Sequence, residues 1–282
     1  MSAPPVIFDR KRYAARRARA AAGFSAHDFL HRRAMEDVVD RLEVVNRSFD
    51  SALFIGTGDL AALLTETCGV GDIVSMDLSA QRLRARGMRI AADEERLPFA
   101  PESFNLIVSL LTLHTANDLV GALAQARLAL KPDGLFIAAV FAEDTLTRLR
   151  RALYEAEAEL TGGVSARVAP FAKLQDFGQA LARAGFALPV ADIDKVTVTY
   201  REPPSLLRDL RGMGETNALA ERPHALSRSV LVNALSRFAA TGGAEQFEIV
   251  YLTGWAPHDS QQKPLKPGSA KMNLKDAIEG AR

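Results

Sequence analysis

The chain has 282 residues, a net charge of +1 and a hydrophobic content of 48%. That content supports a sizeable core and excludes a disordered chain, while the charge balance argues against nucleic acid as a general partner. A single cysteine, Cys68, excludes an intramolecular disulfide and a cysteine-based zinc cluster, and it fits a reducing compartment.

Taken in chain order, the N-terminus is locally basic. Met1 to Pro5 lead into Arg-rich rather than apolar sequence, so no secretory signal is expected, and no apolar run reaches the roughly 18 residues of a membrane span. Arg10, Lys11, Arg12, Arg16, Arg17 and Arg19 face only Asp9 among nearby acids. Such a run suits a transit peptide or contact with a partner or anionic surface. Among alanines it reads first as the solvated face of a helix.

Residues 26–45 carry Leu30, Val38, Leu42 and Val45 on one helical stripe. Residues 51–55 are a short apolar strand ending at Gly56-Thr57-Gly58, and a helix with Leu60, Leu63 and Leu64 follows. A second strand is expected at 72–76, after which Asp77 and Ser79 hold an N-cap position. A third strand is expected at 88–92, and the apolar run 104–111 predicts a strand buried on both faces. Leu119, Leu123, Ala126 and Leu130 share a helical face. Lys131-Pro132-Asp133-Gly134 reads as a turn in which glycine supplies the permissive dihedrals, and 135–141 as another buried strand. This alternation predicts a parallel sheet with helices on both faces. The second half is less regular. It holds helices over 146–160 and 173–184, stopped by Gly162-Gly163 and Gly185, and a strand at 190–200. A short helix opened by Pro203-Pro204, a helix at 226–239 and a last strand at 247–255 follow. The residues after Trp255 read as a loose tail.

Gly56-Thr57-Gly58 lies between a strand and a helix. Backbone without Cβ atoms can lie against a ligand there, and free N–H groups can meet a pyrophosphate or a carboxylate. The spacing Gly56, Gly58, Ala61 also fits the dinucleotide pattern, so a nicotinamide oxidoreductase competes, and a plain tight turn is the bland alternative. Asp77, ending the second strand, is placed to accept from both ribose hydroxyls of an adenosyl group, or to share a cap with Ser79. Asp93 or Glu94 is placed to accept from an adenine amino group. Alone, these acids would read as a surface turn.

The order of GxG, the acid after strand two, "ADEERLPF", "FNLIVSLLTLH" and "LKPDGLFI" resembles the class I S-adenosylmethionine-dependent methyltransferases. The resemblance implies an α/β, Rossmann-like fold with a seven-stranded, mostly parallel sheet whose last strand is antiparallel. With it go an N-terminal helical extension over 1–46, the methyltransferase-fold domain over 47–256 with a helical insertion around 201–240, and a tail over 257–282. The cofactor implied is S-adenosylmethionine, held by Gly56, Thr57, Gly58, Asp59, Asp77, Leu78, Asp93, Glu94 and Leu110, without a metal. Ile7-Phe8-Asp9-Arg10, "LRDLRGMGETNAL" at 207–219 and "YLTGWAPHDSQQKPLKPGSA" at 251–270 are similar to the methyltransferase-like assembly factors of mitochondrial complex I and their bacterial relatives. The mitochondrial member of that family is regarded as an arginine hydroxylase acting on an iron–sulfur subunit of NADH:quinone oxidoreductase. This implies a protein substrate and a location in the bacterial cytoplasm or the mitochondrial matrix.

The chain departs from the methyltransferase loop D/E-x-G-x-G-x-G twice. Phe54 stands for the leading acid, which normally helps hold the methionine amino group, and Leu60 for the third glycine, which normally lets the chain bend around the cofactor. Asp59 is a candidate replacement carboxylate. Asn105 replaces the acid of F-D-L-V, and Thr115 the tryptophan of H-W.

Methyl transfer asks the protein to position two groups and to take a proton from the nucleophile. His114, after a buried strand at the carboxyl edge of the sheet, is the candidate base, with a packing or cap histidine as the alternative. Asn117 and Asp118 are expected to start the next helix. Oxidative hydroxylation would need a centre that activates oxygen, and the sequence has no HxD…H spacing. His27 and His31 are spaced to share a helix face but lack a clear third ligand. Glu215, in Gly212–Asn217, reads as a partner for a substrate arginine or as part of a turn between helices. Trp255 reads as packing. The expected activity is S-adenosylmethionine-dependent methylation of a protein substrate, with arginine hydroxylation or a cofactor-free scaffold as alternatives.

Overall fold

Period-two alternation in β1 (Phe49–Ile55), β4 (Phe104–Leu110) and β5 (Leu130–Phe141) divides their apolar side chains between the two faces of one sheet. The structure, a computed structural model, describes residues 5–45, 47–84, 87–221 and 224–262. Of the tail expected over 257–282, residues 263–282 lie outside them. With β2 (Val70–Asp77), β3 (Met88–Ala91), β6 (Ala187–Thr199) and β7 (Ala244–Trp255), the sheet has seven strands in the order β3-β2-β1-β4-β5-β7-β6. Strand β7 is antiparallel to β5 and β6, and the other pairings are parallel. This is the Rossmann-like methyltransferase arrangement that the resemblance implies.

Ala52, Phe54, Leu106, Val108, Ile137 and Ala139 face helices α2 (Phe29–Val45), α3 (Ala61–Thr67), α5 (Thr147–Thr161), α7 (Pro204–Met213) and α8 (Arg228–Ala240). Leu53, Ile55, Ile107, Phe136 and Ala138 face α4 (Leu119–Ala129) and α6 (Leu174–Arg183). Helices on both faces explain the near-continuous apolar runs of β4 and β5. Phe54 has no exposed surface. An unpaired acid there would be buried at a cost of several kcal/mol, so in this chain position 54 belongs to the core.

Two local expectations need correction. The segment 131–134 is not a turn before β5 but an irregularity within it, with a register shift against Phe104 and Leu106. Asp133, not Gly134, takes the left-handed conformation (φ 60°). Gly134 is needed for space, since a Cβ there would lie 2.8 Å from the Lys131 carbonyl oxygen. Among the described residues after β2 there is no capped α-helix but a 3-10 turn at Ala80–Arg82; Asp77 accepts from the Ser79 N–H at 2.8 Å.

Helix α1 (Arg10–Ala20) starts at Asp9, whose side chain accepts from the Arg12 N–H. The segment before it pairs with the loop after α7: Phe8 bridges Leu219, Asp9 N–H donates to Ala218 and Ala220 N–H to Ile7, both at 2.8 Å. Asn117 Oδ1 accepts from the N–H groups of Ile7 and Phe8 at 2.8 Å each. Asn117 therefore anchors the head of the chain, while Asp118 caps α4 as expected, accepting from the Gly121 N–H at 2.8 Å. The head motif and the 207–219 motif are thus one structure, laid across the carboxyl edge of the sheet.

Candidate active site

Parallel register brings four strand ends together. Ile55 pairs with Met76 and Ser109, and Asp77 with Ala91, so Gly56, Asp77, the 92–94 segment and the turn after β4 share one edge. The strand order reverses between β2 and β4 around β1, which is where open α/β sheets bind ligands. Gly56 (φ 73°) and Gly58 (φ 54°) both require left-handed backbone. A Cβ on Gly56 would also sit 2.4 Å from Thr112 Cγ2 and 2.7 Å from the Leu110 carbonyl oxygen. Leu111, beside them, is left-handed as well (φ 49°), an uncommon state for leucine that turns the chain from β4 toward His114.

The acids expected at this edge are held by α1. Arg17 donates to both Asp77 oxygens, Nε to Oδ1 at 3.1 Å and Nη2 to Oδ2 at 2.6 Å, with the two side chains 0% and 1% exposed. Arg10 donates to Asp93 at 2.8 and 3.2 Å, pairs with Glu94 at 2.8 Å and donates to Thr115 Oγ1 at 2.7 Å. The basic run is therefore not a solvated face throughout. Lys11 and Arg19 are exposed, but Arg17 and Arg10 are drawn inward by carboxylates. Burial pulls both arginine pKa values down, and these carboxylates more than offset it, so both stand above the ordinary value.

Glu215 completes the cluster. Gly214 (φ 89°) ends α7, and the chain turns there to bring Glu215 against His114, with Nε2 to Oε2 at 3.1 Å. Tyr13 donates to Glu215 Oε1 at 2.9 Å, and Arg17 lies 3.8 Å from the same oxygen. The arginine paired with Glu215 is thus the chain's own Arg17 rather than one from a substrate. Burial pushes the Glu215 pKa up, but His114, Arg17 and the Tyr13 hydroxyl together hold it below the usual value. For Tyr13, burial and then Glu215 raise the pKa, and the phenol stays protonated. With Glu215 ionised, the network assigns the imidazole proton to Nε2 and leaves the lone pair on Nδ1, which is buried without a partner. The ring sits among Phe141, Phe171 and Tyr13, with centroids 5.1, 5.9 and 6.4 Å away. His114, Tyr13 and Glu215 line a cavity of about 620 Å³ between α1, α5, α7 and α8.

The other expected residues are placed as follows. Thr57 is buried, and its hydroxyl has no partner. Leu78 is partly exposed, whereas Leu110 is a core side chain. Asp59 is exposed and lines a smaller cavity of about 190 Å³ with Arg32, Arg82 and Arg84. Sequence reasoning missed Arg82, which is 4% exposed, stacked on Phe24 and without acceptors for its three guanidinium nitrogens. Burial and Arg17 lower its pKa to about 9. His27 lies before α2 and bonds Asp209 at 2.7 Å, and His31 is fully buried in α2, so the two do not form a shared ligand face. Among the described residues, no three His, Cys, Asp or Glu side chains gather as a metal site. Asn105 accepts from Ser51 at 2.9 Å, and Trp255 packs under Arg47.

An adenosyl cofactor fits these residues in kind. The glycines leave room for it, Thr57 offers an unpartnered hydroxyl, and Asp77, Asp93 and Glu94 are acceptors at the strand ends. It does not fit beside α1 as placed, because Arg17 saturates Asp77 and its Nη2 lies 3.5 Å from the Cβ position of Gly56. Opening the site requires Arg17 to leave Asp77.

Residues 53–138 match the Methyltransferase domain family. The chain is 38% identical to "Arginine-hydroxylase NDUFAF5, mitochondrial" of Danio rerio, over 96% of this chain and 89% of the relative. It is 35% identical to the Homo sapiens protein of that name, over 95% and 82%. It is also 30% identical to the malonyl-[acyl-carrier protein] O-methyltransferase of Laribacter hongkongensis, over 92% and 94%. Among solved structures it is similar to the YcgJ protein from Bacillus subtilis, with TM-score 0.53 and 14% identity over 80% of this chain and 99% of that one.

Proposed function

As the chain belongs to the family of these arginine-hydroxylase relatives, on a methyltransferase fold, we propose that it binds S-adenosylmethionine at the β1–β2–β3 edge and methylates a nucleophile seated beside His114. The observation that carries this reading is the His114–Glu215 pair at a cavity wall, with Nδ1 of the imidazole left without a partner. When bound, the cofactor supplies an electrophilic methyl group. Gly56, Thr57 and Gly58 would cradle it, and Asp77, Asp93 and Glu94 would accept hydrogen bonds from its hydroxyl and amino groups once α1 yields them. His114 Nδ1 takes the proton from the nucleophile. Glu215 fixes the tautomer and stabilises the imidazolium, and Tyr13 orients Glu215. The aromatic rings around His114 keep water from the base. Loss of His114 should lower turnover about 100-fold or more, the usual worth of a positioned base.

A second reading, hydroxylation of an arginine in a respiratory-complex subunit, is favoured by the likeness to the arginine-hydroxylase relatives and by the head and tail motifs. Incubation of candidate substrates with S-adenosylmethionine, and separately with oxygen and a reductant, followed by mass analysis, separates the two. A gain of one CH₂ unit that is lost in His114→Ala supports methylation. A gain of one oxygen atom replaces it with the second reading, and no gain on any substrate refutes both.

A further inference from the structure

The cavity beside His114 has two chemically distinct linings. One wall is aliphatic: Leu149 and Leu153 of α5, Leu210 of α7, and Leu231 and Ala234 of α8. The charged lining is four arginines, Arg12, Arg16, Arg167 and Arg211, against a single carboxylate, Glu215. Glu215 is already engaged by His114, Tyr13 and Arg17. Arg12 pairs with Asp9, and Arg167 with Glu157. Arg16 and Arg211 have no ion-pair partner among the described residues. The Nε atoms of Arg16 and Arg167 are buried without an acceptor. One loop joins these two arginines: Arg16 donates to Thr216 Oγ1 at 2.7 Å, and Asn217 donates to the Arg167 carbonyl at 2.9 Å.

A volume near 620 Å³ is in the range of sites that enclose a small molecule. We infer that the cavity holds a monomeric amphiphile, an aliphatic chain with a carboxylate-class anionic head. The chain lies against α5, α7 and α8, and the head meets Arg16 and Arg167. A cationic group, an arginine side chain included, meets uncompensated positive charge there and no free carboxylate. The inference concerns what this cavity binds and does not rest on methyl transfer at His114.

Dodecanoate, dodecanol and dodecyltrimethylammonium share a chain and differ in head charge. Titrated into the full chain below micelle-forming concentrations, dodecanoate should bind at least about tenfold tighter than the cation, a difference of about 1.4 kcal/mol. Arg16→Gln should weaken dodecanoate about tenfold and leave dodecanol unchanged, at an unchanged melting temperature. Equal or tighter binding of the cation overturns the inference. So does a lack of saturable dodecanoate binding, or association only with vesicles of anionic phospholipid. The readout needs no cofactor, so loss of S-adenosylhomocysteine binding leaves this inference standing, and loss of dodecanoate binding leaves the proposed function standing.

Discussion

Asp77 and Arg17 are buried together, and each is the other's main charge partner. Asp77→Ala is therefore not a clean probe of cofactor binding. It leaves the Arg17 guanidinium in the core with only the Tyr13 hydroxyl at 3.3 Å and Glu215 at 3.8 Å. Breaking a buried pair from one side costs about 3–5 kcal/mol, whereas replacing both partners by apolar groups is often neutral. Urea unfolding should show that loss in Asp77→Ala and recovery of most of it in Asp77→Ala with Arg17→Met. Equal instability of the double variant would show that the pair is not what holds α1. His31 offers a pH test. Burial, then Arg82 and Arg17, hold its pKa well below the usual value, and neither ring nitrogen has a partner. The unfolded chain takes up a proton near pH 6.5 that the folded chain refuses, so stability is full above that pH and falls below it, by at most about 1.4 kcal/mol per pH unit. Between about pH 8 and about pH 5.5 the melting temperature of the wild type should fall more than that of His31→Leu. Equal falls would remove His31 from the account.

Elements whose side chains alternate or repeat on one stripe were legible from sequence. The runs of β4 and β5 and the stripe of α5 ending at Gly162 are placed where their patterns say. The start of β5 was not, because Pro132 and Gly134 signal a turn while the strand continues through an irregularity that Asp133 absorbs. The burial of α1 was not legible either. Periodicity gives a helix its faces but not its neighbours, and the Asp77 carboxylate that draws Arg17 inward comes from β2, across the fold. Gly214 marks the contact between these elements. It is left-handed, and a Cβ there would lie 3.2 Å from Arg17 Cα. Gly214→Ala should cost more than about 1 kcal/mol and push α1 outward, lowering the melting temperature and speeding tryptic cleavage within α1. Unchanged melting and cleavage would mean that α1 does not depend on this turn.

At the scale of the molecule, the sheet order and the antiparallel β7 followed from the strand–helix rhythm and the resemblance together, because right-handed parallel connections leave few other topologies. The candidate site was legible as single residues: His114 and Glu215 were both singled out. Their pairing, and their shared dependence on Tyr13 and Arg17, arises only when the head of the chain folds back over the loop after α7. The same fold-back makes α1 an intramolecular competitor for the acid that an adenosyl group would use. S-adenosylhomocysteine titrated calorimetrically into the wild type and into Arg17→Met tests this claim most directly. The expected result is binding to both, at least about tenfold tighter to Arg17→Met, since apparent affinity scales with the fraction of molecules whose site is open. Binding to neither protein, or equal or tighter binding to the wild type, would contradict the account.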